Sequence, residues 1–405
     1  MSLIKQKNIL IAPLVVLLIA LIFGLATLGS TVNPVPKDLP VLFVMSDQGS
    51  TVPGQGDVNF GKTIADNLLN AAPQGQATAS PFEWETVEDE AAGLDKLDRE
   101  EAYALVVIPE TFSGNLAGLM TGTAAEAPSV QVYINQGKNM SAANSVSQGL
   151  TQMFQAVNAK FSEQLVGQLT SQGVKIDPTR ISAFANPIQV KTEIVNPVGT
   201  HSANGNAPGS LTQIAWMASL VGTLLVFFAM KKFKPRSSAE RMGGLWVQVA
   251  VGAVLSLVAG FGILGIADGF FGLHVPSFLD TALFLSLNAF GFYLLMSAIM
   301  AWLGFAGMPI FMLLFFFVGP ILTLPPELLP QATKTLLYSW VPLRFTVEGL
   351  RDLLYFGQGL NVQTPIVVIS SVSAGALIVL FASVFKKPKK TVSEGGEPAA
   401  ASQSA

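Results

Sequence analysis

The chain has 405 residues, of which half are hydrophobic and only 12% are charged, and its mean hydropathy is positive at +0.51. Soluble domains carry about 25% charged residues, so this composition excludes an ordinary soluble globular protein. The absence of cysteine excludes disulfides, thiol catalysis and cysteine-bound metals. The net charge of −3 is less informative than the distribution of the charges along the chain.

Charged residues are missing from several segments of about 20 residues, the length that crosses about 30 Å of hydrocarbon. The first segment, residues 9–28, follows Lys5 and Lys7. A cleaved signal peptide starts in the same way, with cleavage near residues 26–30 as the alternative, but this segment is longer than a signal core and favours an anchored helix. Further spans are predicted at 211–230, 243–267, 279–303, 309–324 and 365–385, with a chain reversal near Gly304, Gly307 and Pro309.

Basic residues predict the orientation of these six transmembrane helices. They form three clusters: Lys5 and Lys7; Lys231, Lys232, Lys234, Arg236 and Arg241; and Lys386, Lys387, Lys389 and Lys390. With six spans, all three clusters lie on one face, which identifies that face as the cytoplasm. We therefore expect both termini in the cytoplasm, with residues 386–405 as a disordered tail.

This orientation places residues 31–210 outside the membrane, between helices 1 and 2. The segment has 9 Lys and Arg against 18 Asp and Glu, an acidic balance that speaks against a nucleic-acid partner. Strands are predicted at 41–45, 82–87, 103–108, 130–134 and 187–195, and helices from residue 60, over 88–102 and over 141–169. Alternating strands and helices predict an extracytoplasmic α/β domain whose sheet contains parallel pairs. The long helix could pack on that sheet or against a second copy of the chain.

Residues 56–63 match the phosphate-binding pattern G-x-x-x-x-G-K-[ST] letter for letter. That site needs a strand running directly into the loop, whereas the preceding predicted strand ends near Met45. The segment is also predicted to lie outside the cell, where ATP is scarce. We therefore interpret the match as a coincidence.

Other polar features point to no catalytic or metal chemistry. His201 and His274 are isolated, and two separate histidines do not make a metal site. An acidic run resembles no calcium loop and is interpreted as a solvated face: Glu83, Glu85, Glu88, Asp89 and Glu90. We expect no enzymatic activity and no cofactor.

Inside the predicted spans, the notable polar residues are the amides Gln213, Gln248 and Asn288, and none of them is ionisable. Hydrogen bonding between helices is the favoured interpretation, and a substrate path is the alternative. Residues 325–360 are rich in prolines that break helices, and their second half is amphipathic. This pattern predicts short helices at the outer membrane interface, with four candidate functional residues: Trp340, Pro342, Glu348 and Arg351.

Several short segments resemble a known family. Leu-Pro-Val at 39–41, Asp-Gln-Gly at 47–49, Val-Asn-Phe-Gly at 58–61 and Val-Ile-Pro-Glu-Thr-Phe-Ser at 107–113 are similar to the outer domain of the YhgE/Pip (phage infection protein) family. Leu-Leu-Pro at 328–330 and Glu-Gly-Leu-Arg at 348–351 resemble the membrane part of the wider ABC-2 type permease superfamily.

The resemblance implies a bacterial cell-membrane permease subunit, homodimeric, that exports an unidentified substrate with a separate cytoplasmic ATPase. On that analogy, the basic loop containing Lys231, Lys232, Lys234, Arg236 and Arg241 would meet the ATPase, although the same residues could serve only to set topology. The alternative is a non-transporting surface protein on the same fold: a phage receptor, a scaffold or a type VII secretion accessory protein. The compact outer domain speaks against the last of these.

Overall fold

The computed structural model describes residues 38–52, 56–69, 81–121, 127–171 and 181–386. The predicted first span at 9–28 and the predicted tail beyond Lys386 lie outside these residues. The described chain folds into an α/β domain followed by a bundle of apolar helices.

The α/β domain is built on a five-stranded mixed sheet with the strand order β4-β1-β5-β6-β7. Neighbouring strands are parallel except for the antiparallel β5–β6 pair. A short antiparallel hairpin of β2 and β3 forms a second sheet. The strands are β1 Leu39–Met45, β2 Ser50–Val52, β3 Gly56–Val58, β4 Phe82–Thr86, β5 Ala104–Ile108, β6 Ser129–Asn135 and β7 Gln189–Val195.

The position of each strand follows from its residues. The central strands β1 and β5 are almost continuously apolar, as expected for parallel strands that are buried on both faces. β6 alternates buried and half-exposed residues, and β7 is exposed along nearly its whole length at the sheet edge. The predicted strands and the predicted mixture of helices with parallel strand pairs are confirmed.

Five helices surround this sheet: α1 Phe60–Leu69, α2 Glu90–Asp98, α3 Phe112–Thr121, α4 Met140–Ser171 and α5 Ile181–Ala185. The long helix α4 places an apolar stripe that includes Val146, Leu150 and Phe154 in the core of the domain. Packing on the sheet therefore accounts for its periodicity. Neither α3 nor the β2–β3 hairpin was predicted, because both are short and their glycine, serine and threonine content gives a weak pattern.

The apolar bundle contains α6 Ala207–Lys232, α7 Ser238–Gly269, α8 Phe278–Leu303, α9 Met308–Leu322, α10 Pro342–Tyr355 and α11 Gln363–Ala382. Within the described residues, four segments are long and apolar enough to cross a membrane: α6, α7, Phe278–Leu322 and Gln363–Phe385. The third segment has 45 residues and contains both α8 and α9.

The chain reverses between α8 and α9 through a turn of 3-10 helix, Gly304–Gly307. Gly304 has a φ of +67°, a conformation that favours glycine. At one end of α9, Phe305 packs against Phe228 at a ring distance of 6.2 Å, and at the other end Gly319 lies beside Gln213. α9 therefore runs antiparallel to α6, and the predicted chain reversal near Gly304 is confirmed. The total of six spans remains a prediction.

Small residues allow the helices of the bundle to approach closely. A Cβ on Gly252 would lie 2.0 Å from the ring of Tyr293, which donates a hydrogen bond from its hydroxyl to the Gln248 carbonyl at 2.9 Å. Asn288, buried in α8, accepts a 2.6 Å hydrogen bond from the Thr346 hydroxyl of α10. For Asn288, the predicted hydrogen bonding between helices is confirmed.

Candidate functional site at the two ends of the bundle

The residues of the phosphate-loop pattern at 56–63 have a structural role. Gly56 lies in the β2–β3 hairpin, and Gly61 lies in the first turn of α1. The Gly61 amide donates to the buried carboxylate of Asp47 at 3.1 Å, and that carboxylate also accepts from the Ser113 amide of α3 at 2.9 Å. A carboxylate of the protein thus occupies the place between two helix N-termini where an anion would bind.

The first polar site, which we call the domain junction, joins the α/β domain to the bundle. The domain contributes Glu100, Tyr103 and Lys138, which lie in the turns around β5 and β6. The bundle contributes three residues from the segment between α9 and α10 and from α10 itself: Glu327, Arg351 and Asp352. The three residues of the domain are far in the sequence from the three of the bundle, and together they define a half-buried polar contact between the α/β domain and the bundle.

Charge pairs and hydrogen bonds cross the junction. Arg351 Nη1 lies 2.7 Å from Glu100 Oε2, and the two side chains are only 18% and 20% exposed. The Tyr103 hydroxyl donates to Glu327 Oε2 at 2.8 Å. Lys138 Nζ lies 3.5 Å from Glu327 Oε1 and 4.4 Å from the centre of the Tyr103 ring. Glu100 and Lys138, the two ionised groups that the domain contributes to the junction, are therefore each paired with a charged group of the bundle.

The pKa values at the junction reflect this burial. Burial, together with a hydrogen bond to Glu100 and its negative charge, raises the pKa of Asp352 to about 8. Burial lowers the pKa of Lys138, and the neighbouring Glu327 carboxylate opposes that shift. The shift keeps Asp352 protonated to a higher pH than an ordinary aspartate, in the form that can donate a hydrogen bond to Glu100.

A cavity of 230 Å³ lies beside the domain junction, where Lys138 and Arg351 form part of its wall. Its wall also includes the turn that leads into α6, in which Ala203, Asn204 and Gly205 have φ values of +53°, +54° and +78°. Such a conformation is costly for alanine. Sequence analysis does not predict this cavity, because it depends on how the α/β domain packs against the bundle.

The four predicted residues of the interfacial segment fall in different places. Trp340 is 56% exposed and donates from its ring nitrogen to the Leu336 carbonyl at 2.7 Å, and Pro342 begins α10. Glu348 pairs with Arg344 at 2.5 Å on the same helix. Only Arg351 belongs to the domain junction. Glu327 was not singled out, because an acidic residue between prolines carries no spacing that points to a partner 224 residues away.

The second polar site is the far end of the bundle, opposite the α/β domain. Its basic side chains in the last turn of α6 and in the α6–α7 loop are exposed: Lys231, Lys232, Lys234 and Arg236. Arg241 is half-buried and donates from Nη1 to the carbonyls of Val384 and Lys386, each at 2.9 Å. Along the described ranges, no ion pair links these five predicted basic residues to a carboxylate.

The two histidines and the acidic run form no metal site in the described part of the chain. His201 and His274 are exposed, and no group of three or more potential metal ligands occurs in the described part of the chain. In the acidic run, Glu85 pairs with Lys96 at 2.5 Å, and Asp89 caps α2 by accepting from the Ala92 amide at 2.8 Å. These residues therefore fix α2 against β4.

An α/β domain bonded to a bundle with four segments of spanning length defines the class of a membrane protein. The chain belongs to the family described as "Protein of unknown function (DUF3533)", whose profile matches residues 9–370. That match covers the α/β domain together with the bundle up to α11. No curated protein and no solved structure matches the chain.

Proposed function

We propose that this chain is the membrane permease subunit of an ABC-2 type exporter, which moves an unidentified substrate outward together with a separate ATPase. The observation that supports this most directly is the exposed basic loop at the far end of the bundle. Four of its cations have no carboxylate partner in the described structure, so they are available to an acidic surface of another subunit. In this proposal two copies of the chain form the path in a bacterial cell membrane.

The composition of the bundle supports an external source of energy. In the four described apolar segments, acidic and basic side chains occur only in the first or last turns, as with Glu240, Asp268 and Asp280. Ion-coupled carriers keep such groups within their spans, where the ions bind. A separate ATPase supplies the energy in our proposal.

The domain junction would transmit movement in this scheme. Arg351 and Asp352 lie on α10, and α10 is bonded to α8 through Thr346 and Asn288. A displacement of α8 would therefore reach Glu100 in the α/β domain through two short polar contacts. This gives the extracytoplasmic domain a physical means to respond to the state of the bundle.

Co-purification tests the proposed partner. A triple variant, Lys232→Glu, Lys234→Glu and Arg236→Glu, reverses charge in the loop, while Lys62→Glu, Lys160→Glu and Lys191→Glu make the same change on exposed positions of the α/β domain. Purified from native membranes, the wild type and the second variant should retain an ATP-binding subunit, and the first should lose it. Absence of any ATPase from the wild type, or equal retention by all three proteins, would contradict the proposal.

Labelling of intact cells tests the orientation. Because the chain has no cysteine, Lys160→Cys in α4 and Lys234→Cys in the α6–α7 loop each create a single thiol. A membrane-impermeant maleimide should label the first and not the second until the cells are opened. The reverse pattern would place the α/β domain in the cytoplasm and end the permease proposal.

A second candidate function, a non-transporting surface protein, is favoured by one observation. Strand β7 is an exposed edge of the sheet, with Val190 and Ile194 exposed by 36% and 51%. An edge of this kind can accept an added strand from a partner protein. If Ile194→Lys abolishes binding of a surface partner or phage while export continues, the receptor function is supported, and unchanged binding argues against this edge.

A further inference from the structure

A cavity opens at the far end of the bundle between α6, α7 and α8. It has a volume of 270 Å³ and continues into a neighbouring cavity of 540 Å³, with which it shares Met230, Arg241, Leu245, Ala301 and Gly304. The two cavities form one recess that runs from the end of the bundle into its interior. None of the contacts described above fills it.

The rim of this recess is cationic. Lys231 and Arg241 line the first cavity, and Arg241 and Lys386 line the second. Arg241 and Lys386 donate hydrogen bonds only to backbone carbonyls in the described structure, so their positive charges are not neutralised by a carboxylate. Three cations around one opening create an attractive potential for an anionic group.

The deeper wall is polar at a few positions and otherwise apolar. Thr223 is 1% exposed and lines the cavity, and its hydroxyl has no hydrogen-bond partner among the described residues. The buried side chains of Gln248 and Ser297 line the same space, beside Phe227 and Met300. A buried hydroxyl without a partner is costly, which indicates that a ligand atom completes its hydrogen bonding.

We infer that this recess binds an anionic phospholipid of the adjacent leaflet. The cations at the rim match the lipid phosphate, the hydroxyls and amide match the ester carbonyls, and the apolar wall matches the start of an acyl chain. Thr223 lies eight positions before Lys231, which corresponds to about 12 Å along α6, a depth that suits a head group and its glycerol esters. Lys231 and Arg241 belong both to this rim and to the basic residues proposed to meet the ATPase, but the test of lipid binding requires no ATPase.

The test uses the full chain purified in a neutral detergent. Its thermal midpoint is measured with dioleoyl-phosphatidylglycerol, with dioleoyl-phosphatidylcholine and with inorganic phosphate. Phosphatidylglycerol should raise the midpoint in a saturable manner, and the other two should not. An equal rise with phosphatidylcholine would remove the role of the cations, and an equal rise with phosphate would show a simple anion site instead of a lipid site.

Two matched pairs of variants locate the site. Lys231→Gln should weaken the apparent affinity for phosphatidylglycerol about fivefold, as expected for one basic residue at a membrane surface, whereas Lys232→Gln, exposed but outside the cavities, should not. Thr223→Val should also weaken binding, while Thr212→Val, whose hydroxyl bonds to the Pro208 carbonyl at 2.8 Å, should not. Equal effects within either pair would overturn the assignment. Because a substitution can lower the thermal midpoint without changing binding, native mass spectrometry measures lipid binding to each folded variant directly.

Discussion

The two ends of the bundle differ in whether their charged side chains are paired. At the domain junction, Arg351, Lys138 and Glu327 each have a partner on the other body within 3.5 Å. At the far end, exposed lysines have no carboxylate partner in the described structure, and Arg241 bonds only to carbonyls. The junction has its partners within the chain, whereas the far end leaves positive charge available to other molecules.

This difference indicates that charged residues at one end contribute to stability and those at the other end to binding. A half-buried ion pair is costly to break, because the remaining group stays desolvated without a counter-charge. An exposed cation contributes little to folding, so its position is free to serve recognition. Substitutions at the two ends should therefore have different consequences.

The largest effect is expected for Arg351→Met. It leaves Glu100 half-buried beside Asp352 without its cation and should destabilise the folded chain by roughly 3 kcal/mol. Arg236→Met at the far end should change stability by less than about 0.5 kcal/mol. Unfolding by dodecyl sulfate in mixed micelles measures both values. Similar losses for the two variants would remove the contrast between the ends.

A smaller effect is expected from pH. The pKa of Asp352 is raised to about 8 in the folded chain, whereas it is about 4 in the unfolded chain. The stabilising contribution of the protonated carboxyl is therefore fully present below about pH 4 and is lost as the pH rises through 8. The slope is at most about 1.4 kcal/mol per pH unit, so relative to Asp352→Asn the wild type should lose up to about 1.4 kcal/mol between pH 6 and pH 7. Parallel curves of stability against pH for the two proteins would show that the pKa of Asp352 is not raised.

The smallest effect compares two buried threonines. Thr346→Val removes the hydroxyl bonded to Asn288 at 2.6 Å and should destabilise the chain by about 1 kcal/mol. Thr223→Val removes a hydroxyl without a described partner and should be neutral or stabilising in lipid-free detergent. If Thr223→Val were the more destabilising change under those conditions, its hydroxyl would have a partner within the protein.

Much of the fold could be predicted from the sequence, because long apolar segments and buried strands produce strong local patterns. The reversal at Gly304 and the strands β1 and β5 are examples. The sites were less accessible, since Glu100 and Arg351 meet across 251 residues and neither has a local pattern that names its partner. The basic residues around the α6–α7 loop lie together at one end of the bundle, whereas the recess behind them depends on the packing of three helices.

The short helix α9 has a consequence for the surrounding bilayer. Its 15 residues span about 22 Å, less than the roughly 30 Å of a typical hydrocarbon core, and Phe316 and Leu313 on its outer surface are 55% and 42% exposed. Local thinning of the bilayer is one way to match this face. Lipids beside α9 would then have a shorter distance between leaflets than lipids beside the 32-residue helix α7, so the protein would impose an asymmetric thickness on its own annulus.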